Sequence, residues 1–146
     1  MKYLTPILDL ANRECFILSD NDEPSHRYQE KFNAEKLFGV WKNYKQILPN
    51  TQEITAEDFI KKEIILRICK NVNRTNTSLR DLTLDDFRNN SGVIYVIKNW
   101  LNIPSFDESK QKEIIEMIKD EIFNELKQSH IEDNYYNLLE KLSEQV

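Results

Sequence analysis

Apolar residues with helical spacing run through most of this chain, and they favour a mainly helical fold. The longest stripe lies between residues 107 and 128 and consists of Ile114, Ile115, Ile118, Ile122, Phe123 and Leu126. A second stripe, in residues 132–142, consists of Tyr135, Leu138, Leu139 and Leu142. Spacings of three and four residues place such side chains on one face of a helix. With only 2 Gly and 4 Pro in 146 residues, repeated tight turns are scarce, which argues against a sandwich or small barrel.

Helix-start signals predict further helices closer to the N-terminus. Thr55 and Asp58 have the spacing of a capping box, which predicts a helix over about 56–71. Residues 93–101 also have helical spacing, although their β-branched side chains leave a strand open as an alternative. A Thr-Pro pair near the start of the chain predicts a short helix over Pro6–Asn12.

One segment breaks the helical pattern. Cys15–Leu18 has strand preference and runs directly into the polar stretch Ser19–Asp22. A second short strand is predicted at residues 44–48, which end at a Pro-Asn pair. We therefore predict an α/β fold that is mostly helical, with strands near 14–19 and 44–48 lying side by side and a helical segment at the C-terminus.

Two aspartates, Asp20 and Asp22, follow the first strand at positions i and i+2. When the chain turns after the strand, both carboxylates lie near one point and repel each other unless a cation lies between them. Hard divalent ions such as Mg²⁺ prefer these oxygen ligands. The same residue types are also the usual ones in a polar turn. Glu57 adds a third acid in the first turn of a predicted helix, where the helix dipole alone favours an acid.

The order of these parts resembles the Toprim domain of the overcoming-lysogenisation-defect (OLD) family of nucleases. The matching stretches are CFILSDND, with its D-x-D acids, and ILPNTQEITAEDFI, with its T-x-E pair, and they lie within residues 1–70. In that family the domain is attached to a RecF-like ATPase and acts in phage defence. The resemblance implies a partial Toprim-like sheet in which Asp20, Asp22 and Glu57 bind Mg²⁺ or Mn²⁺, the metals that activate water for phosphodiester cleavage.

The chain also departs from the pattern of this family. The first metal-binding acid of the family is a Glu in a Val-Glu-Gly type motif, and no such segment precedes Asp20. Glu14 lies before the strand and does not match it. A catalytic Lys is expected downstream, and Lys70 and Lys98 are its candidates. The resemblance therefore implies that the chain lacks a complete two-metal site.

The resemblance also implies a division of the chain into two regions and a partner outside the chain. Residues 1–72 would form a partial metal-site region, and residues 73–146 would form a helical region packed on it. A RecF-like ATPase chain or domain would supply the rest of the site, and DNA would be reached through that assembly. On its own the chain would be inactive.

The distribution of charge indicates that any contact with nucleic acid is made through a local site or with help from other segments, and an alternative to the nuclease stays open. Residues 1–73 carry 11 basic and 11 acidic residues, whereas residues 74–146 carry 9 and 14, so the net charge of −5 belongs to the second half. A DNA-coating module would show a basic patch, and this chain has no long one. The alternative is a small acidic helical interaction protein, of the immunity or inhibitor type, without catalysis. Convergence of Asp20, Asp22 and Glu57 would distinguish the two.

The remaining composition predicts a cytoplasmic protein without membrane contact. No apolar run approaches the roughly 18 residues of a membrane span, and the N-terminus does not have the pattern of a signal peptide. Cys15 and Cys69 lie in apolar runs without metal-type spacing, which predicts two buried free thiols in a reducing compartment. His26 and His130 lie in polar surroundings and are predicted to be surface residues.

Overall fold

The structure is a computed structural model, and it describes residues 15–88 and 92–144. The described chain is mostly helical and contains one small parallel sheet of two strands. It divides into two compact units. Unit 1 consists of Met1–Ile54 and Tyr136–Val146, and unit 2 consists of Thr55–Tyr135.

Unit 1 contains a strand, a helix and a parallel strand in succession. Its first elements are β1 (Phe16–Ser19), α1 (Glu23–Ala34), β2 (Val40–Asn43) and the short α2 (Tyr44–Ile47). The strands pair in parallel, with Phe16 opposite Val40 and Ser19 opposite Asn43. Because α1 returns the chain to the start of the second strand, the carboxyl ends of both strands lie at the same edge of the sheet. The strand predicted near 14–19 is confirmed as β1.

The prediction of a strand at residues 44–48 is wrong, because the second strand ends at Asn43 and a helix begins there. The Asn43 side chain accepts the Gln46 N–H at 3.0 Å, and the Gln46 side chain accepts the Asn43 N–H at 3.0 Å. This reciprocal capping box starts α2 instead of extending β2. On its other side β2 follows Gly39, which has a φ of 111°, and a Cβ atom there would lie 2.6 Å from the Cys15 carbonyl oxygen.

Helix α1 packs on the strands through an aromatic contact and a hydrogen-bond network. The rings of Phe32 and Trp41 meet edge to face with their centres 5.4 Å apart. Gln29 donates from its amide to the Trp41 carbonyl at 2.7 Å and to the Gln46 side chain at 2.8 Å. The indole N–H of Trp41 donates to Ser19 Oγ at 2.8 Å. These contacts fix the carboxyl end of β1 relative to β2.

Unit 2 is helical and contains an extended apolar core. Its elements are a 3₁₀ turn (Ala56–Phe59), α3 (Lys62–Thr75), a 3₁₀ turn (Leu84–Phe87), α4 (Val93–Leu101), α5 (Glu108–Glu125) and a 3₁₀ turn (Gln128–His130). Helix α6 (Asp133–Ser143) begins in unit 2 and continues into unit 1. The core residues that are fully buried include Ile65, Ile68, Ile97, Leu101 and Ile118. The helices predicted at 107–128 and 132–142 are confirmed, and residues 93–101 form a helix rather than a strand.

The predicted helix over about 56–71 is interrupted in the structure. Ile60 pairs with Ile131 in an isolated antiparallel bridge, and the Lys61 N–H donates to the His130 carbonyl at 2.9 Å. These contacts hold the backbone extended between the first 3₁₀ turn and α3. A partner from far along the chain therefore divides what the local capping pattern predicted as one helix.

The remaining predictions concern the two regions, the N-terminal helix, the cysteines and membrane contact. The boundary between 1–72 and 73–146 falls inside α3, so these regions do not coincide with units 1 and 2. The predicted Pro6–Asn12 helix lies outside the described residues. Cys69 is buried as predicted, whereas Cys15 is only half-buried. None of the described helices is long and apolar enough to cross a membrane.

Candidate functional site

The carboxyl ends of β1 and β2 bring Asp20 and Asp22 to one edge of the sheet, which we call the acidic edge. Asp20 directly follows β1, and Tyr44 directly follows β2. Tyr44 is buried, and its hydroxyl donates a hydrogen bond of 2.7 Å to Asp20 Oδ1. A buried ring on the second strand's end therefore orients the carboxylate that follows the first.

Asp22 has a structural role at the start of α1. Its Oδ1 accepts the Ser25 N–H at 2.9 Å, which makes it the N-cap of the helix. This bond accounts for Asp22 without a metal, as the polar-turn interpretation expects. Between the aspartates, the Asn21 N–H donates to the Ile54 carbonyl at 2.7 Å, and Asn21 Oδ1 lies 3.2 Å from His26 Nε2. His26, predicted as a surface residue, is half-buried beside the acids.

Glu57, the third predicted ligand, belongs to unit 2. It lies in the Ala56–Phe59 turn, its side chain is 15% exposed, and its Oε1 lies 3.3 Å from Lys119 Nζ. An ammonium group of the same unit therefore already compensates its charge. The prediction that Glu57 joins Asp20 and Asp22 in one site stays a prediction.

Both candidates for a catalytic lysine lie on helices of unit 2. Lys70 is on α3, Lys98 is on α4, and both side chains are exposed. Exposed lysines on helices are ordinary solvated residues. A catalytic role for either one stays a prediction.

The donor chemistry of the acidic edge fits a hard divalent ion in part. Asp20 and Asp22 supply carboxylate oxygens, the ligands that Mg²⁺ prefers. One oxygen of each already accepts a hydrogen bond from the protein. Within residues 15–88 and 92–144, no group of three or more His, Cys, Asp and Glu side chains is arranged to hold a metal ion. The acidic edge would therefore form part of a coordination sphere, completed by water or by ligands from elsewhere.

Unit 2 contains a cavity that the sequence did not predict, which we call the groove. It has a volume of about 410 Å³ and lies between the Ala56–Phe59 turn, the end of α5 and the start of α6. Its apolar lining consists of Ala56, Phe59, Ile60, Ile122, Phe123, Leu126, Ile131 and Tyr135, and its charged lining consists of Glu57, Lys119 and Asp120. The rings of Phe59 and Tyr135 meet edge to face with their centres 5.6 Å apart.

Two residues of the α5 stripe are more exposed than its spacing predicted. Phe123 is 79% exposed and Leu126 is 41% exposed, whereas Ile118 and Ile122 are buried in the core. Phe123 follows Ile122 in sequence but lies about 100° further around the helix, at the edge of the stripe, and there it faces away from the core that buries Ile122. The width of the stripe is the signal in the sequence that could have indicated a second apolar surface.

No protein-family model matches this chain, and no significant similarity was found to a curated protein or to a solved structure. Two features of the molecule remain for a functional inference. They are the acidic edge of unit 1 and the groove of unit 2.

Proposed function

We propose that this chain supplies part of a divalent-metal site in a nuclease assembly that cleaves DNA. The observation that carries the proposal is the acidic edge, where Asp20 and Asp22 follow β1 at the carboxyl end of a parallel β-α-β arrangement. Ligand sites of open parallel sheets gather at the carboxyl ends of the strands. The nuclease class comes from the resemblance of this order of parts to the Toprim domain of the OLD family.

Each residue of the acidic edge has a definite task in this proposal. Asp20 is the main ligand, because the Tyr44 hydroxyl holds its carboxylate at the strand end. Asp22 offers Oδ2 while its Oδ1 caps α1. Bound Mg²⁺ or Mn²⁺ would polarise the phosphodiester and activate water. A RecF-like ATPase chain or domain supplies the missing Glu and the path to DNA.

Metal binding can be tested by titrating the ¹⁵N-labelled chain with Mn²⁺, which broadens the NMR signals of nearby amides. We expect weak binding that broadens the amides from Asp20 to Asp22 first, because an incomplete set of oxygen ligands leaves several positions to water. Asp20→Asn should remove this broadening. Asp85→Asn, at an exposed aspartate of unit 2, is the matched control and should leave it unchanged. Broadening centred on the acidic surface of α5 would contradict the site.

DNA cleavage must be tested in the complete assembly with the ATPase partner. Asp20→Asn should abolish metal-dependent cleavage, while Asp85→Asn should cleave at the native rate. Glu57→Gln tests the third predicted ligand in the same assay. An assembly with Asp20→Asn that cleaves DNA at the native rate would falsify the proposal.

The groove favours a second candidate function, a small acidic helical interaction protein without catalysis. An exposed Phe123 beside an apolar cavity is typical of surfaces that bind other proteins. The two candidates differ in which substitution removes the biological effect. If the chain is part of a nuclease, Asp20→Asn should remove the biological effect. If it is an interaction protein that does not depend on the acidic edge, Phe123→Ser should remove the effect and Asp20→Asn should not.

A further inference from the structure

We propose that the groove of unit 2 binds a partner polypeptide that presents a large apolar side chain next to a Lys or Arg. The groove is the cavity of about 410 Å³ bounded by the Ala56–Phe59 turn and the C-terminal end of α5. This inference concerns unit 2 alone, and it does not depend on whether the acidic edge binds a metal.

The groove has a buried floor and an exposed apolar rim. Phe59 and Ile122 form the floor and are 3% and 4% exposed, whereas the rim residues Phe123 and Leu126 are 79% and 41% exposed. The volume of the cavity is enough for one aromatic or branched aliphatic side chain. An occupant that fills the cavity and covers the rim removes apolar surface from water on both partners.

The charges of the groove select a basic occupant. Glu57 and Asp120 contribute carboxylates to the lining, and Lys119 lies 3.3 Å from Glu57 and so compensates that residue. A Lys or Arg of the occupant that is placed beside Asp120 would therefore meet a carboxylate of the lining.

The shape of the rim favours a polypeptide as the occupant. Phe123 and Leu126 lie one turn apart at the end of α5, so a ligand confined to the cavity would leave them exposed. An amphipathic helix can fill a cavity with one side chain and cover the rim with its neighbours. A second copy of this chain would bring a net charge of −5 towards a surface of the same sign, which disfavours it.

A pair of matched peptides tests both the apolar and the basic part of the proposal. The first is a short amphipathic helix with Leu and Phe on one face and Arg at the edge of that same face, and the second carries Glu in place of Arg. Each is titrated into the ¹⁵N-labelled full chain. We expect the Arg peptide to shift the amide signals of the groove lining, and the Glu peptide to bind at least about tenfold more weakly.

Substitutions at the rim then locate the binding site. Phe123→Ser should weaken binding of the Arg peptide at least about tenfold. Tyr95→Ser is the matched control, because Tyr95 is an aromatic residue of unit 2 that is 57% exposed and lies outside the groove lining. Asp120→Lys should weaken the Arg peptide and strengthen the Glu peptide. Because Phe123 is mostly exposed, Phe123→Ser should keep the native fold, which circular dichroism verifies.

Three results would overturn the proposal. The first is an equal loss of affinity in Phe123→Ser and Tyr95→Ser, which would mean that the peptide binds the acidic surface in general. The second is equal affinity for both peptides, since the groove would then not select a cation. The third is self-association of the chain that Phe123→Ser abolishes, because that would assign the groove to a second copy.

Discussion

Substitution of Asp58 tests the buried hydrogen bonds that organise unit 2. Asp58 is 7% exposed, and its Oδ2 accepts the Thr55 N–H at 2.9 Å. Its Oδ1 accepts the Val93 N–H at 2.5 Å, across 35 residues of sequence. One carboxylate therefore joins the start of unit 2 to the first turn of α4.

We expect Asp58→Ala to lower the free energy of unfolding by about 3 kcal/mol, because a hydrogen bond to a charged acceptor contributes about 1.5–3 kcal/mol and two such bonds are lost. The two bonds differ in what replaces the carboxylate. Thr55 is half-buried, so water can replace the carboxylate at its N–H, and this loss is small. Val93 is 1% exposed, so its N–H stays without a partner, and this loss makes up most of the total. Asp58→Asn keeps only one acceptor oxygen and sets its NH2 group against the other N–H, so it should lose about 1.5–3 kcal/mol.

Urea unfolding measures the global effect, and hydrogen exchange of the Val93 amide measures the local one. The control is Asp85→Ala, which removes an exposed ion pair with Arg88 and should change stability by less than about 0.5 kcal/mol. The reasoning is refuted if Asp58→Ala is no less stable than this control. It is equally refuted if the Val93 amide exchanges as slowly in Asp58→Ala as in the native protein.

Three more predictions concern the strand pair, an ion pair and a thiol. Gly39→Ala should destabilise the protein by more than about 1 kcal/mol in urea unfolding. The reasons are that a Cβ would lie 2.6 Å from the Cys15 carbonyl oxygen and that the residue has a positive φ, which strains an alanine. A variant with native stability would contradict this prediction. The Arg80 guanidinium donates to the two carboxylate oxygens of Asp86 at 2.7 and 3.1 Å, and it holds the pKa of that carboxyl well below its usual value of 3.8. The pair therefore stabilises the folded state above pH 3.8, and the stabilisation is lost as the pH falls below that value. Asp86→Asn should therefore be less stable than the native protein near neutral pH, and its stability should approach the native value in strong acid. A difference in stability that stays constant with pH would contradict the prediction. Burial raises the pKa of the Cys69 thiol to about 12, so iodoacetamide should alkylate Cys15 first. Mass spectrometry of the digested protein measures the two rates, and equal rates would contradict the prediction.

The acidic edge could be predicted in part from the sequence, because its two aspartates are neighbours along the chain. A strand that runs into D-x-D identifies Asp20 and Asp22 without any knowledge of the rest of the fold. The hydrogen bond from Tyr44 could not be predicted, because it joins residues 24 positions apart and depends on the parallel pairing of β1 and β2. The capping box that corrects the second strand was present in the sequence as Asn43 and Gln46, and the strand preference of the flanking residues concealed it.

The groove was hidden from the sequence for a different reason. Its apolar residues come from the Ala56–Phe59 turn, the Ile60–Ile131 bridge, the end of α5 and the start of α6, and the spacing of Ile122 and Phe123 does not tell which of them meets a core. Packing of α5 against α3 and α4 buries the first and leaves the second in water.

The sequence by itself determined the class of the fold, the long helices α5 and α6, the first strand and the position of its acids. Each of these depends on interactions among residues close in the chain, which leave a local period or cap. The tertiary structure alone decided where the helix predicted from Thr55 is broken, since the Ile60–Ile131 bridge joins distant segments. It also decided that residues 93–101 form a helix, because their spacing indicates a helix while their β-branched side chains leave a strand open, and burial in the core of unit 2 favours the helix.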